Sequence, residues 1–166
     1  SWSATTSGTS FDLAGIWGSS SDNVFAVGDN ATILHFDGSA WSSVTCNTTN
    51  NLNGIWGLPS DNVFAVGDSG TVLQYDNNTW STLTSVTTKN LHAVWGSASD
   101  NVFAVGDDGT ILHGDNGTWS IMSSSATSNL YGIWGSVSNN VIAVGAGGTI
   151  VKYNGTTWST LTSSTS

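Results

Sequence analysis

The chain has 166 residues and a formal charge of −9, with 11 Asp but no Glu, 2 Lys but no Arg, one Pro, 20 Gly and 9 Trp. The helix formers Glu, Lys, Arg and Gln are almost missing while Gly, Thr, Val, Asn and Trp abound, which excludes a long-helix protein and predicts short strands joined by turns. Two lysines cannot neutralise a phosphate backbone or hold an anionic lipid surface, so nucleic acid and headgroups are excluded as partners, and no apolar run approaches the roughly 20 residues of a membrane span.

Trp recurs at positions 2, 41, 80, 119 and 158, 39 residues apart, so the length is four repeats of 39 plus ten. In chain order, residues 1–10 are a surplus Trp-Ser strand from a preceding repeat. Residues 11–166 form one domain of four gapless units, 12–50, 51–89, 90–128 and 129–166. Each unit is predicted to carry four short strands, seen in the second as Leu52–Trp56, Asn62–Val66, Thr71–Gln74 and a strand opening at Trp80. Between them lie turn residues that tolerate positive φ: Ser-x-Ser-Asp-Asn, Gly-Asp-x-Gly, and then Asp-Gly, Asn-Asn or Asn-Gly. Val24-Phe25-Ala26-Val27 is apolar on both faces, whereas a sheet with one wet face alternates. A four-stranded sheet covered on both faces by copies of itself is a propeller blade, and a period near 40 fits one. The expected fold is an all-β propeller-type repeat of four blades. The alternatives are an open repeat array or a segment of a larger propeller.

The pattern Gly-Ile-Trp-Gly, Asn-Val-Phe-Ala-Val-Gly-Asp, Gly-Thr-Ile-Leu-His and Asp-Gly-x-x-Trp-Ser resembles the propeller repeats of secreted and surface bacterial proteins related to photosystem II assembly-factor-like and Asp-box propellers. The resemblance spans essentially the whole chain and speaks for fold, since propellers host unrelated functions. It departs from the Asp-box pattern in one respect: Asp37, Asp76 and Asp115 lie four residues before their Trp rather than five. Resemblance to Asp-box propellers also points to sialidases, whose substrate carboxylate is clamped by arginines; with no Arg here, that activity is excluded.

Ten of the eleven Asp fall in turns, in register with the repeat, where each is expected to cap its own turn. Asp29, Asp68 and Asp107 are weak calcium candidates, because a calcium loop carries denser carboxylates than Asp-x-Gly. No other metal and no cofactor is expected. His35 and His113 share a column with Gln74 and Lys152, and His92 is alone in its column; all three are read as polar groups at strand ends. Cys46 stands where other repeats have Ser, as a surface-loop substitution. Sequons at Asn30, Asn47, Asn77, Asn116 and Asn154 are glycosylation candidates, though a chain this rich in Ser and Thr reaches about five by chance.

The two Trp columns, 17/56/95/134 and 41/80/119/158, are expected to pack between blades. Trp41, Trp80 and Trp119 are also candidates for stacking on sugars. The surplus strand has no place in a closed four-bladed ring and could add to a neighbouring molecule's sheet. The sequence therefore predicts a secreted or cell-surface structural or adhesive scaffold without enzymatic activity. It would self-associate head to tail into a filament through the terminal Trp-Ser strands, with Trp2 and Trp158 at the contact. The alternative is a multivalent glycan-binding lectin.

Overall fold

The computed structural model describes residues 4–59 and 62–162. They form sixteen strands in four antiparallel meanders, one per repeat. Blade 1 holds β1 (Leu13–Ser20), β2 (Asn23–Gly28), β3 (Ile33–Phe36) and β4 (Trp41–Ser43). Blade 2 holds β5 (Leu52–Gly57), β6 (Val63–Gly67), β7 (Val72–Asp76) and β8 (Thr79–Thr82). Blade 3 holds β9 (Leu91–Ala98), β10 (Asn101–Gly106), β11 (Ile111–Asp115) and β12 (Thr118–Ile121). Blade 4 holds β13 (Leu130–Val137), β14 (Asn140–Gly145), β15 (Ile150–Tyr153) and β16 (Trp158–Leu161). These are the four four-stranded propeller blades the repeat predicts. Among the described residues no helix is long and apolar enough to cross a membrane.

The turn chemistry explains the meander. Between β7 and β8, Asn77 and Asn78 both adopt positive φ, as do Asn116 and Gly117 between β11 and β12, the geometry a two-residue hairpin loop requires. In blade 1 the same turn is closed by a side chain: Asp37 Oδ1 accepts from the backbone N–H groups of Ser39 and Ala40, both at 2.9 Å. Those donors lower the Asp37 pKa to about 2. Asn154 Oδ1 does the same in blade 4, accepting from Thr156 and Thr157. Asp76 and Asp115 instead accept from the side chains of Asn77 and Asn116. The expected self-capping thus holds for Asp37 and not for its two column mates.

The inner strands pack in series, β1 on β5, β5 on β9 and β9 on β13. Each seam has one composition. Phe25, Val27 and Ile33 of blade 1 meet Leu52, Val63, Ala65, Leu73 and Trp80 of blade 2. Phe103, Val105 and Ile111 of blade 3 meet Leu130, Val141, Ala143, Val151 and Trp158 of blade 4. Burying each large side chain contributes about 1.5–3 kcal/mol, and no blade could do this alone. The inner Trp of blades 1, 2 and 3 also reaches the next blade: a Cβ placed on Gly57, Gly96 or Gly135 would lie 2.5–3.0 Å from the rings of Trp17, Trp56 or Trp95. Only glycine leaves room for that ring.

Hydrogen bonds lock the seams. The residue in left-handed conformation after β6, Ser69, donates its backbone N–H to Asn90 Oδ1 of blade 3 at 3.0 Å. Asn30 donates likewise to Asn51, and Asp108 to Asn129. One Asn column thereby clamps three seams.

Among the described residues no comparable packing joins β13 back to β1. The four blades form an open arc with two uncovered ends. Leu13 is 44% exposed where Leu52, Leu91 and Leu130 are at 0%, and Val144 is 45% exposed where Val27, Val66 and Val105 are at 0%. Trp134 is 62% exposed, where its column mate Trp95 packs over Gly135 of the next blade.

Of the surplus N-terminal strand, Trp2 and its neighbours lie outside the described residues. Residues 4–10 contain no strand. They repeat the link that follows the fourth strand of a blade: Ser7 Oγ donates to Thr9 O and Phe11 N donates to Thr9 Oγ1, as Ser85, Thr87 and Lys89 do between blades 2 and 3.

Candidate functional site

One column of the inner strands breaks the repeat. Between the leucine and the glycine that all four inner strands share, only the position of Ala14, Asn53, His92 and Tyr131 differs in every unit. Asn53, His92 and Tyr131 of this column carry polar and aromatic groups, Asn53 linked to the next blade through Leu91 O and His92 to Tyr131 by a ring contact. Asn53 Nδ2 donates to Asp68 Oδ1 and to Leu91 O of the next blade, both at 2.9 Å. His92 Nε2 is hydrogen-bonded to Asp107 Oδ1 at 2.7 Å, with each side chain about one-quarter exposed. The Tyr131 ring, more than half exposed, lies 5.2 Å from the His92 ring at a tilt of 50°. Lys89 pairs with Asp108, the residue after Asp107, and that carboxylate raises the lysine pKa.

Asp68 and Asp107 are therefore on the row as partners of Asn53 and His92. They are two of the three weak calcium candidates. Each opens a tight turn whose carbonyl accepts from Thr71 or Thr110, as Asp29 does from Thr32. Among the described residues, no three His, Cys, Asp or Glu side chains are grouped to hold a metal. Reading His92 as a lone strand-end group missed this row. The signal was present in the sequence as four different residues in an otherwise repeated strand.

The other two histidines lie inside the third strands of their blades rather than at strand ends. His35 Nε2 bonds Asn23 Oδ1 at 2.9 Å and stacks on Phe25; His113 bonds Asn101 Oδ1 at 2.8 Å beside Phe103. Gln74 makes the same bond to Asn62. Burial lowers the His113 pKa.

Cys46 differs from its reading as a surface-loop residue. It is half-buried against the blade 1–2 seam, its Sγ lies 3.6 Å from Ala31 O, and burial pushes the thiol pKa up. The sequons Asn30, Asn47, Asn77, Asn116 and Asn154 are all exposed.

The tryptophans correct the sugar-stacking expectation. Trp80 and Trp119 are buried to 3% and 4% in the seams, so neither offers a ring face to a sugar. Trp41 is half-exposed, as no other blade packs on it among the described residues. Trp158, expected at an intermolecular strand contact, is buried in the blade 3–4 seam, where its Nε1 donates to Met122 Sδ at 3.4 Å. Trp2 lies outside the described residues.

Blade count, meander topology and seam chemistry define a β-propeller. No protein-family profile and no curated protein matches the chain. Solved structures do. The chain is similar to YCF48 bound to D1 peptide, with a TM-score of 0.78 and 19% identity, over 99% of this chain and 57% of that one. It is also similar to YCF48 from Cyanidioschyzon merolae, with a TM-score of 0.70 and 18% identity, over 86% of this chain and 50% of that one. The chain thus spans about half the length of these solved chains. The likeness bears out the propeller fold that the resemblance implied.

The same comparison overturns the expected function. Its structural neighbours are YCF48 propellers, one holding a peptide, rather than extracellular filament scaffolds or lectins. The burial of Trp80, Trp119 and Trp158 also removes three of the five tryptophans on which these expectations rested.

Proposed function

We propose that this chain is a non-catalytic propeller module that binds a polypeptide segment of a partner protein along the rim carrying Asn53, His92 and Tyr131. The observation that carries the reading is the row itself: from the shared leucine to the shared glycine of the inner strands, this is the position that differs in every unit, while the packing positions change only conservatively, to Ala93 and Val94 in blade 3. Loops and rims on a rigid scaffold are where binding specificity resides. The non-catalytic part is supported by the solved YCF48 neighbours, and the choice of a peptide by the D1 peptide that one of them holds.

Charge narrows the ligand. The chain carries −9 overall, and Asp68 and Asp107 stand on the row. A segment bearing Lys or Arg is steered toward such a surface and an acidic one is repelled. His92 and Tyr131 add flat faces against which an aromatic or guanidinium group packs.

The test is fluorescence anisotropy with two labelled synthetic 15-residue peptides of matched hydropathy, one basic and one acidic. The basic peptide is expected to bind, and His92→Ala with Tyr131→Ala to weaken it about 10-fold, a loss of about 1.4 kcal/mol. Equal binding of both peptides, or affinity untouched by the double substitution, contradicts the reading.

A further inference from the structure

Around His92 the hydrogen bonds decide which atoms a ligand meets. Asp107 Oδ1 lies 2.7 Å from His92 Nε2. An ionised carboxylate only accepts, so Nε2 carries the proton, and in the neutral ring Nδ1 keeps its lone pair. Among the described residues, neither that Nδ1 nor the second carboxylate oxygen of Asp107 has a hydrogen-bond partner. The next carboxylate of the turn is already taken, because Lys89 Nζ is paired with Asp108 Oδ2. The turn thus presents one open negative group rather than two.

Asn129 ties an aromatic ring to the same turn. Its Oδ1 accepts from the backbone N–H of Asp108 at 3.0 Å, and its Nδ2 donates to Tyr131 Oη at 3.5 Å. Tyr131 is thereby held beside the Asp107–Asp108 turn as well as against the His92 ring, while 55% of it stays exposed. A carboxylate oxygen, an imidazole lone pair and an open aromatic face meet at one place. The matching place in blade 2 has no such set, since Asn53 offers no ring and its Nδ2 is spent on Asp68 and on Leu91 O.

The geometry points to a subsite for an arginine side chain of the bound polypeptide, formed by Asp107, His92 and Tyr131. It rests on the peptide-binding reading above and narrows it from any basic segment to one bearing arginine. A guanidinium is flat and carries its N–H donors in its own plane. Laid on the Tyr131 face, it makes a cation–π contact and donates from its edge to the Asp107 carboxylate and to His92 Nδ1 together. A lysine ammonium is a compact, strongly hydrated point charge with no face to stack. The subsite therefore separates two residues of equal charge, which the overall −9 of the chain cannot do.

Fluorescence anisotropy tests the assignment with the basic peptide made in three versions, its cationic positions filled with arginine, lysine or the uncharged arginine analogue citrulline. The arginine version is expected to bind about 10-fold tighter than the lysine version, and citrulline to bind weakest. Asp107→Asn and Tyr131→Ala should each bring the ratio of arginine to lysine affinity within about 2-fold of unity, with the fold of each variant checked by circular dichroism. Should Asp107→Asn disturb its turn, Tyr131→Ala, at an exposed ring, carries the test alone. Arginine and lysine versions that bind equally, both above citrulline, overturn the subsite and leave the peptide reading standing. So does an arginine preference that survives Tyr131→Ala. Failure of both cationic versions to bind overturns the subsite and the peptide reading together.

Discussion

The blade 1–2, 2–3 and 3–4 seams and the two arc ends are built from the same columns of the repeat, yet their side chains have opposite fates. Val27 is sealed and Val144 is wet; Leu52 is sealed and Leu13 is wet. Nothing in the residue decides this. Burial here belongs to the neighbour, as expected of a repeat architecture whose stability is a sum of unit and interface terms. A substitution at one column should therefore have two different costs, depending on whether a blade stands in front of it.

The largest effect comes from emptying a seam. Phe103→Ala, in the blade 3–4 seam, should cost about 3–5 kcal/mol through lost burial and a residual cavity. Val144→Ala at the open end should change the monomer by less than about 0.5 kcal/mol. Urea unfolding of both variants, with the chain monomeric, checks the contrast; equal losses would break it. The clamp gives a smaller difference of the same kind. Asn90→Ala leaves the Ser69 N–H without its acceptor across a seam and should cost about 1 kcal/mol. Asp12→Ala, with no preceding blade, should cost the monomer nothing measurable by the same method.

The seams also differ among themselves. Trp158 Nε1 donates to Met122 Sδ, whereas Nε1 of Trp80 and of Trp119 is buried without a hydrogen-bond partner among the described residues. Leu83 holds the Met122 position for Trp119. Leu83→Met should therefore stabilise the blade 2–3 seam by up to about 1 kcal/mol, seen as a higher thermal midpoint. A midpoint that falls would show that packing outweighs the new acceptor.

The smallest effect is a pH slope. Burial holds the His113 pKa below its ordinary value of 6.5 in the folded state, so the unfolded chain binds more protons in that window. The stability contribution is complete above about 6.5 and is lost as pH falls through the lower folded value. His113→Gln, which copies Gln74 of blade 2, should remove that part of the slope in denaturant titrations between pH 5 and 7.5. A slope that persists in the variant would assign it to another group.

Strands, blades and seam columns were legible because period and apolarity act locally: Val63-Phe64-Ala65-Val66 is apolar on both faces wherever it is read. Three things were not. Trp80 and Trp119 looked as available to a sugar as to a core, because composition does not reveal which ring a next blade covers. Trp134 looked as buried as Trp95, because the repeat does not state where it lacks a neighbour. His92 looked isolated, because its partner Asp107 is 15 residues away and its aromatic neighbour Tyr131 is on another blade. Each miss lies on the packing link rather than the secondary-structure link.

Hydroxyl-radical footprinting of the dilute, monomeric chain, read residue by residue by mass spectrometry, tests the central contrast most directly. Trp80, Trp119 and Trp158 should be protected and Trp134 should be oxidised many times faster than Trp95, its column mate behind a blade. Protection of Trp134 equal to that of Trp95 in the monomer would mean that blade 4 is covered within the single chain, and the open arc would be wrong.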